Sequence, residues 1–143
     1  MDRTILITGG SGAVGSAIVR RCTQDAYKIA FTFRKNQAGA EKLAKETGAL
    51  AFQADLTRRQ QIHDVVEQVV AKLGPIDVLV NNAGQTQVMP FALIEEEDWD
   101  AILAANLKTM YLATQECIRG MIHRKQGVII NIGSLAGHRL LEV

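Results

Sequence analysis

The sequence predicts an α/β fold, a doubly wound parallel sheet covered by helices on both faces. Three observations carry this. Short apolar runs alternate with helical patterns in the order βαβαβαβαβ. The runs are almost continuously apolar, as strands buried on both faces are. A glycine cluster, TGGSGAVG at 8–15, stands between the first apolar run and the first helical pattern. Right-handed crossovers between such strands give the doubly wound arrangement.

The elements follow in order. RTILIT (3–8) is a short β-branched run, and AVGSAIVRRCTQ (13–24) reads as the first helix. KIAFTF (28–33) is the second strand and QAGAEKLAKET (37–47), rich in strong helix formers, the second helix. ALAFQ (49–53) is the third strand. The stretch 57–74 is amphipathic, with Ile62, Val65, Val66, Val69, Val70 and Leu73 on one face. Gly74 and Pro75 stop it. IDVLVNNAG (76–84) is a strand running into a turn, followed by a loop around 85–94. The stretch 95–125 predicts one long helix, acidic at its start and basic at its end, as the helix dipole favours. Trp99, Met110 and Met121 are expected in the core. GVIINIG (127–133) is the fifth strand.

Bulk properties narrow the function. The 143 residues fit one domain, 48% hydrophobic and 22% charged, as in an ordinary globular protein. A formal net charge of +1 gives no electrostatic case for nucleic acid or an anionic membrane. No apolar run approaches the roughly 20 residues of a membrane span. The start has no signal-peptide layout. Cys22 and Cys117 lack disulfide or metal spacing and read as buried free thiols of a cytoplasmic protein, and no metal site is expected.

In a doubly wound sheet, ligands bind beyond the C-terminal strand ends. The first such end reads Gly10-x-Gly12-x-x-Gly15, the dinucleotide fingerprint of Rossmann-type folds in its strand–turn–helix context. The glycines let the backbone approach a pyrophosphate, and the helix N-terminus offers N–H donors. Gly9, Ser11, Gly12, Ala13, Val14 and Gly15 are therefore candidate cofactor contacts, with a ligand-free glycine turn as the alternative. After the second strand, where an NAD site carries an acid, stand Arg34 and Lys35, which suit the 2′-phosphate of NADP. A solvated basic pair is the alternative. After the third, Asp55 (with Leu56) could accept from an adenine amino group, or be a turn residue with Thr57 as N-cap.

After the fourth, Asn81 is expected to tie strands together, while Asn82, Ala83 and Gly84 border a ribose. Asn106 falls on the apolar stripe of the long helix among Ile102, Leu103, Leu107 and Met110, so its amide needs a partner. That partner is either purely structural or part of a polar relay into a site. The fifth strand delivers Ser134 to the same sheet edge. No G-x-S-x-G elbow surrounds it, so it suits polarising a carbonyl oxygen better than attacking one. His138 reads as a loop residue.

TGGSGAVG, NNAG, NLKTMYL and INIGSLAG, in this order, resemble the short-chain dehydrogenases/reductases along the whole chain. IRGMIHRKQGVIINIGSLAG looks most like the 3-oxoacyl-[acyl-carrier-protein] reductases and polyketide ketoreductases. The resemblance implies NADPH-dependent reduction of a ketone to an alcohol, with a catalytic tetrad of Asn, Ser, Tyr and Lys. Asn106 and Ser134 match its first two members. The Tyr-x-x-x-Lys step is not in this sequence, so 1–143 is expected to be the N-terminal part of a longer reductase. The substrate would be a 3-oxoacyl thioester, the partner an acyl carrier protein, and the full-length protein a homo-oligomer. Arg119, Arg124 and Lys125 are candidates for meeting the carrier, or simply complement the helix dipole. One departure is Ala13 in place of a glycine of the family's TGxxxGxG pattern, whose methyl could crowd the pyrophosphate. The resulting TGxxGxxG spacing belongs to the extended branch, so an epimerase or dehydratase is one rival reading. A catalytically silent nucleotide-binding module is another.

Overall fold

A computed structural model describes residues 3–134. Five parallel strands form one sheet: β1 (Thr4–Ile7), β2 (Lys28–Phe33), β3 (Leu50–Gln53), β4 (Ile76–Asn81) and β5 (Val128–Asn131). Their order in the sheet is β3-β2-β1-β4-β5. The sheet starts in the middle and grows outward first on one side, then on the other. Between β1 and β4 the winding reverses, which opens a crevice at their C-terminal ends.

Two cores explain the apolar runs. On one face, α1 (Ala13–Gln24) and α2 (Gln37–Thr47) pack against Ile5, Ile7, Ile29, Phe31 and Val80. On the other, α3 (Arg59–Leu73) and the long C-terminal helical segment cover Leu6, Ala30, Phe52 and Leu79. Alternate residues of β1 and β2 thus serve opposite cores, so both faces must be apolar.

α1, β2 and α2 have the predicted bounds. Asn36 caps α2, its Oδ1 accepting from the Gly39 N–H at 3.0 Å. α3 begins at Arg59, with Arg58 rather than Thr57 at the N-cap. Thr57 is instead drawn into a turn with Asp55. Gly74, at φ 92°, closes α3 with its N–H on the Val70 carbonyl. Ile62, Val65, Val66 and Val69 are buried as expected, whereas Val70 points outward.

The predicted long helix is three pieces. A first helix, α4 (Glu96–Leu103), starts in a reciprocal capping box between Glu95 and Asp98. A π-helical turn (Ala104–Lys108) follows, then α5 (Thr109–Arg124). The Asn106 side chain explains the interruption. Its Nδ2 donates to the Ile102 carbonyl at 2.9 Å, the acceptor that its own N–H would use in a regular helix. A side chain competing for that carbonyl favours the wider turn. Met121 is buried, but Trp99 is 56% exposed, against expectation. The thiols divide too: Cys117 is buried and Cys22 only half-buried.

Candidate functional site

At the switch between β1 and β4 lies a cleft of ≈ 300 Å³. Of the residues singled out in the sequence, Gly9, Ser11, Gly12, Arg34, Lys35, Asp55, Leu56, Ala83 and Gly84 line it. They come from four strand ends. The sheet alone brings them together.

The glycine loop is bound on all sides by the strands beneath it. The Gly10 N–H donates to the Thr32 carbonyl at 2.8 Å, and the Gly9 N–H to Thr32 Oγ1 at 3.1 Å. Gly9 sits at φ 68°, and a Cβ on it would meet Ala83 Cα at 2.8 Å. A side chain on Gly15 would strike the Gly9 carbonyl and the Asn82 amide. The loop and the NNAG turn are therefore in direct backbone contact, and only glycine fits both. Gly12 is the N-cap of α1 and offers no side-chain cap, so the first-turn N–H groups of the helix have no capping acceptor. A Cβ on Gly12 would meet nothing nearer than the Gly9 carbonyl at 3.4 Å.

Ala13 and Val14 do not line the cleft. They line a shallow apolar depression along α1 with Ala17, Ile18 and Cys22. Ala13 therefore borders that depression rather than the cleft. Asn82 is also one layer back. Its Nδ2 donates to the carbonyls of Thr8 (3.0 Å) and Gly9 (3.1 Å), so it holds the glycine loop from below. Asn81 ties strands as expected, donating to Asn131 Oδ1 of β5 at 2.9 Å and to Thr114 Oγ1 of α5 at 3.0 Å. Thr8, which sequence reasoning passed over, is the hub: its Oγ1 accepts the N–H groups of Asn82 (3.0 Å) and Ala83 (2.9 Å).

Asp55 takes the turn geometry. Its Oδ1 accepts from the Thr57 hydroxyl at 2.7 Å and the Thr57 N–H at 3.0 Å. These bonds, with smaller help from the Arg34 and Arg58 charges, hold its carboxyl below the usual carboxylate range. Leu56 is buried and floors the cleft. Arg34 and Lys35 are exposed on its wall. The Arg34 carbonyl is held by Gln53 Nε2 at 3.1 Å.

Asn106 is half-buried and does not line the cleft, but it shapes it. Its Nδ2 donates to the Gln85 carbonyl at 2.9 Å, and its Oδ1 accepts the Gln85 N–H at 3.1 Å. The same Oδ1 stands 2.6 Å from where a Gly84 side chain would start, so Gly84 must lack one. Gln85 itself lines the cleft, and its Oε1 accepts from Arg34 Nη2 at 3.4 Å across a separation of 51 residues. No local sequence signal marks Gln85. Ser134 is exposed just beyond β5; the residues of its motif that follow it, Leu135, Ala136 and Gly137, and His138 lie outside the described residues.

Two of the carrier-protein candidates, Arg124 and Lys125, lie elsewhere, while Arg119 is exposed midway along α5. Arg124 Nη2 donates to the Ile76 carbonyl at 2.7 Å, at the N-terminal end of β4, and Lys125 caps the end of α5. That is the end of the sheet opposite the cleft, so the fold does not bring these cations to its mouth. Among the described residues no cluster suits a metal ion, and no helix is long and apolar enough to cross a membrane.

A family model described as "short chain dehydrogenase" matches residues 3–142. An acetoacetyl-CoA reductase of Shinella zoogloeoides is 35% identical over 139 residues, covering 97% of this chain and 58% of that protein. A 3-oxoacyl-[acyl-carrier-protein] reductase FabG of Staphylococcus epidermidis is 30% identical over 142 residues, covering 96% and 58%. Among solved structures, a Serratia marcescens short-chain dehydrogenase/reductase variant superposes with a TM-score of 0.88 at 31% identity, covering 96% of this chain and 58% of that one. The serine dehydrogenase of Escherichia coli gives 0.87 at 33%, covering 96% and 65%. The chain thus spans 58% of the length of these curated relatives. Family model, relatives and sheet order agree: the chain belongs to the short-chain dehydrogenase family.

Proposed function

We propose that these 143 residues are the nucleotide-binding part of an NADPH-dependent ketone reductase, acting on a 3-oxoacyl thioester. One observation carries the cofactor reading: a single cleft is lined by the glycine loop at an uncapped helix N-terminus and by Arg34 and Lys35. The helix end suits a pyrophosphate, and the two cations suit a 2′-phosphate. Ala83 and Gly84 give a wall with little side chain for a ribose to lie against. The residues present fit the dinucleotide.

When bound, that cofactor supplies a hydride. The protein's part is to position and polarise. Ser134, at the same sheet edge, donates a hydrogen bond to the carbonyl oxygen, where negative charge grows during reduction. Asn106 fixes the backbone of the loop beside it. A proton donor, a Tyr-x-x-x-Lys step in the family, comes from outside these 143 residues. The thioester substrate rests on the similarity to an acetoacetyl-CoA reductase and a 3-oxoacyl-[acyl-carrier-protein] reductase.

The test is NADPH oxidation with acetoacetyl-CoA by the protein at its natural length. Activity is expected, with Ser134→Ala lowering kcat by about 100-fold or more. Arg34→Asp is expected to weaken NADPH binding about 10-fold or more while NADH binding changes little. Equal losses for both dinucleotides would remove Arg34 from the 2′-phosphate site.

A further inference from the structure

Gln85 stands at an unusual junction. Its backbone is clamped by Asn106 through both its N–H and its carbonyl, at 3.1 and 2.9 Å. Gly84 before it cannot carry a side chain without striking the same amide. The Gln85 side chain therefore starts from a fixed point on the β4 wall of the cleft. It reaches the β2 wall, where its Oε1 accepts from Arg34 Nη2 at 3.4 Å. The Arg34 backbone is fixed in turn by Gln53. Two anchored residues thus meet between opposite walls of the cleft through one weak, exposed contact.

We propose that Gln85 is a specificity-determining residue of the nucleotide cleft. Its side-chain carbonyl holds the Arg34 guanidinium toward β4, and a ligand phosphate has to take that guanidinium away from it. This rests on the reading of Arg34 as the phosphate-binding cation. A neutral amide at 3.4 Å is a partner that a phosphate displaces easily, because charge-assisted bonds to guanidinium are the stronger. The amide keeps Arg34 directed across the cleft in the free protein yet yields to a dianion. A carboxylate at the same place would not yield, and an aliphatic side chain would not direct. Lys35, on the same wall, has no such tether among the described contacts and serves as the untethered second cation.

Titration of 2′,5′-ADP and of 5′-ADP into the protein at its natural length separates the phosphate term from the rest of the nucleotide. Gln85→Glu is expected to weaken 2′,5′-ADP binding about fivefold or more, with 5′-ADP changed less than about twofold. Gln85→Ala is expected to move 2′,5′-ADP affinity by about twofold or more and leave 5′-ADP unchanged. The Glu effect must work through Arg34, so it should vanish when Arg34→Ala is already present. If the Glu penalty persists undiminished beside Arg34→Ala, it is direct repulsion of the ligand and the proposal is overturned. If neither Gln85 variant changes discrimination while Arg34→Ala does, the role of Gln85 falls and the phosphate site stands. If Arg34→Ala affects both ligands alike, the underlying reading falls and takes the proposal with it.

Discussion

At the scale of single residues, several side chains in the cleft are already employed by the protein. Asp55 is the clearest case. It lines the cleft, yet both described bonds to its Oδ1 come from Thr57. This has a consequence for pH. Its folded carboxyl titrates below the ordinary value of about 4, so its stabilising effect is complete above that value. The effect is lost as pH falls through the depressed folded value. Because the side chain is 34% exposed, it amounts to under about 1 kcal/mol. Asp55→Asn should therefore lower stability slightly at pH 7 and converge with the parent in strong acid, as read by urea unfolding at a series of pH values. A difference that grows toward acid would contradict the assignment. The sequence made Asp55 visible by its place after a strand, but could not tell a ligand acceptor from a turn acceptor, because both need the same carboxylate. Gln85 was invisible for another reason. Its partner is 51 residues away, and nothing in QTQVMP distinguishes it from any loop glutamine.

At the scale of elements, the π-helical turn is where pattern reading and structure part. The apolar spacing from 99 to 121 is helical throughout, so a single helix is the natural reading. The Asn106 side chain takes the Ile102 carbonyl within the helix, and its other partner, Gln85, lies on another element. The same helix shows why periodicity identifies a face but not what covers it. Trp99, Leu103, Leu107 and Tyr111 recur every four residues, and all are at least 40% exposed. By contrast α1, β2 and α2 were legible to the residue, because caps, breakers and apolar runs coincide at their ends. The Asn106 clamp makes a coupled prediction. Asn106→Ala should cost about 1–3 kcal/mol and speed hydrogen exchange at the Gln85 amide. Gly84→Ala alone should destabilise by collision with the Asn106 amide. In the Asn106→Ala background the added methyl should cost much less. Additive losses in that double-mutant cycle would show that the two positions do not meet.

At the scale of the whole molecule, the two cores protect their thiols unequally. Burial pushes the Cys117 thiol up to about 12, between α5 and the sheet, while Cys22 is half-buried on α1. Both thiols are raised by burial, but Cys117 is far the more protected. Iodoacetamide at pH 8 should therefore modify Cys22 first, with Cys117 reacting at the rate at which its core opens. Mass spectrometry of the labelled peptides reads both rates in one experiment. Equal rates under native conditions would mean that the α3–α5 core is not closed as described.

The strand order also has a consequence in time. β1 lies at the centre of the sheet, and Thr8, directly after it, bonds to Val80 of β4 and to Asn82 and Ala83 in the turn that follows β4, more than 70 residues later. A chain emerging from the ribosome can pair β1 with β2, and β2 with β3, early. The other edge of β1 stays open until residues 76–81 have been made. During that interval Thr8, the hub of the later cleft, faces nothing. The glycine-loop side of the cleft is therefore synthesised well before the β4 side that completes it.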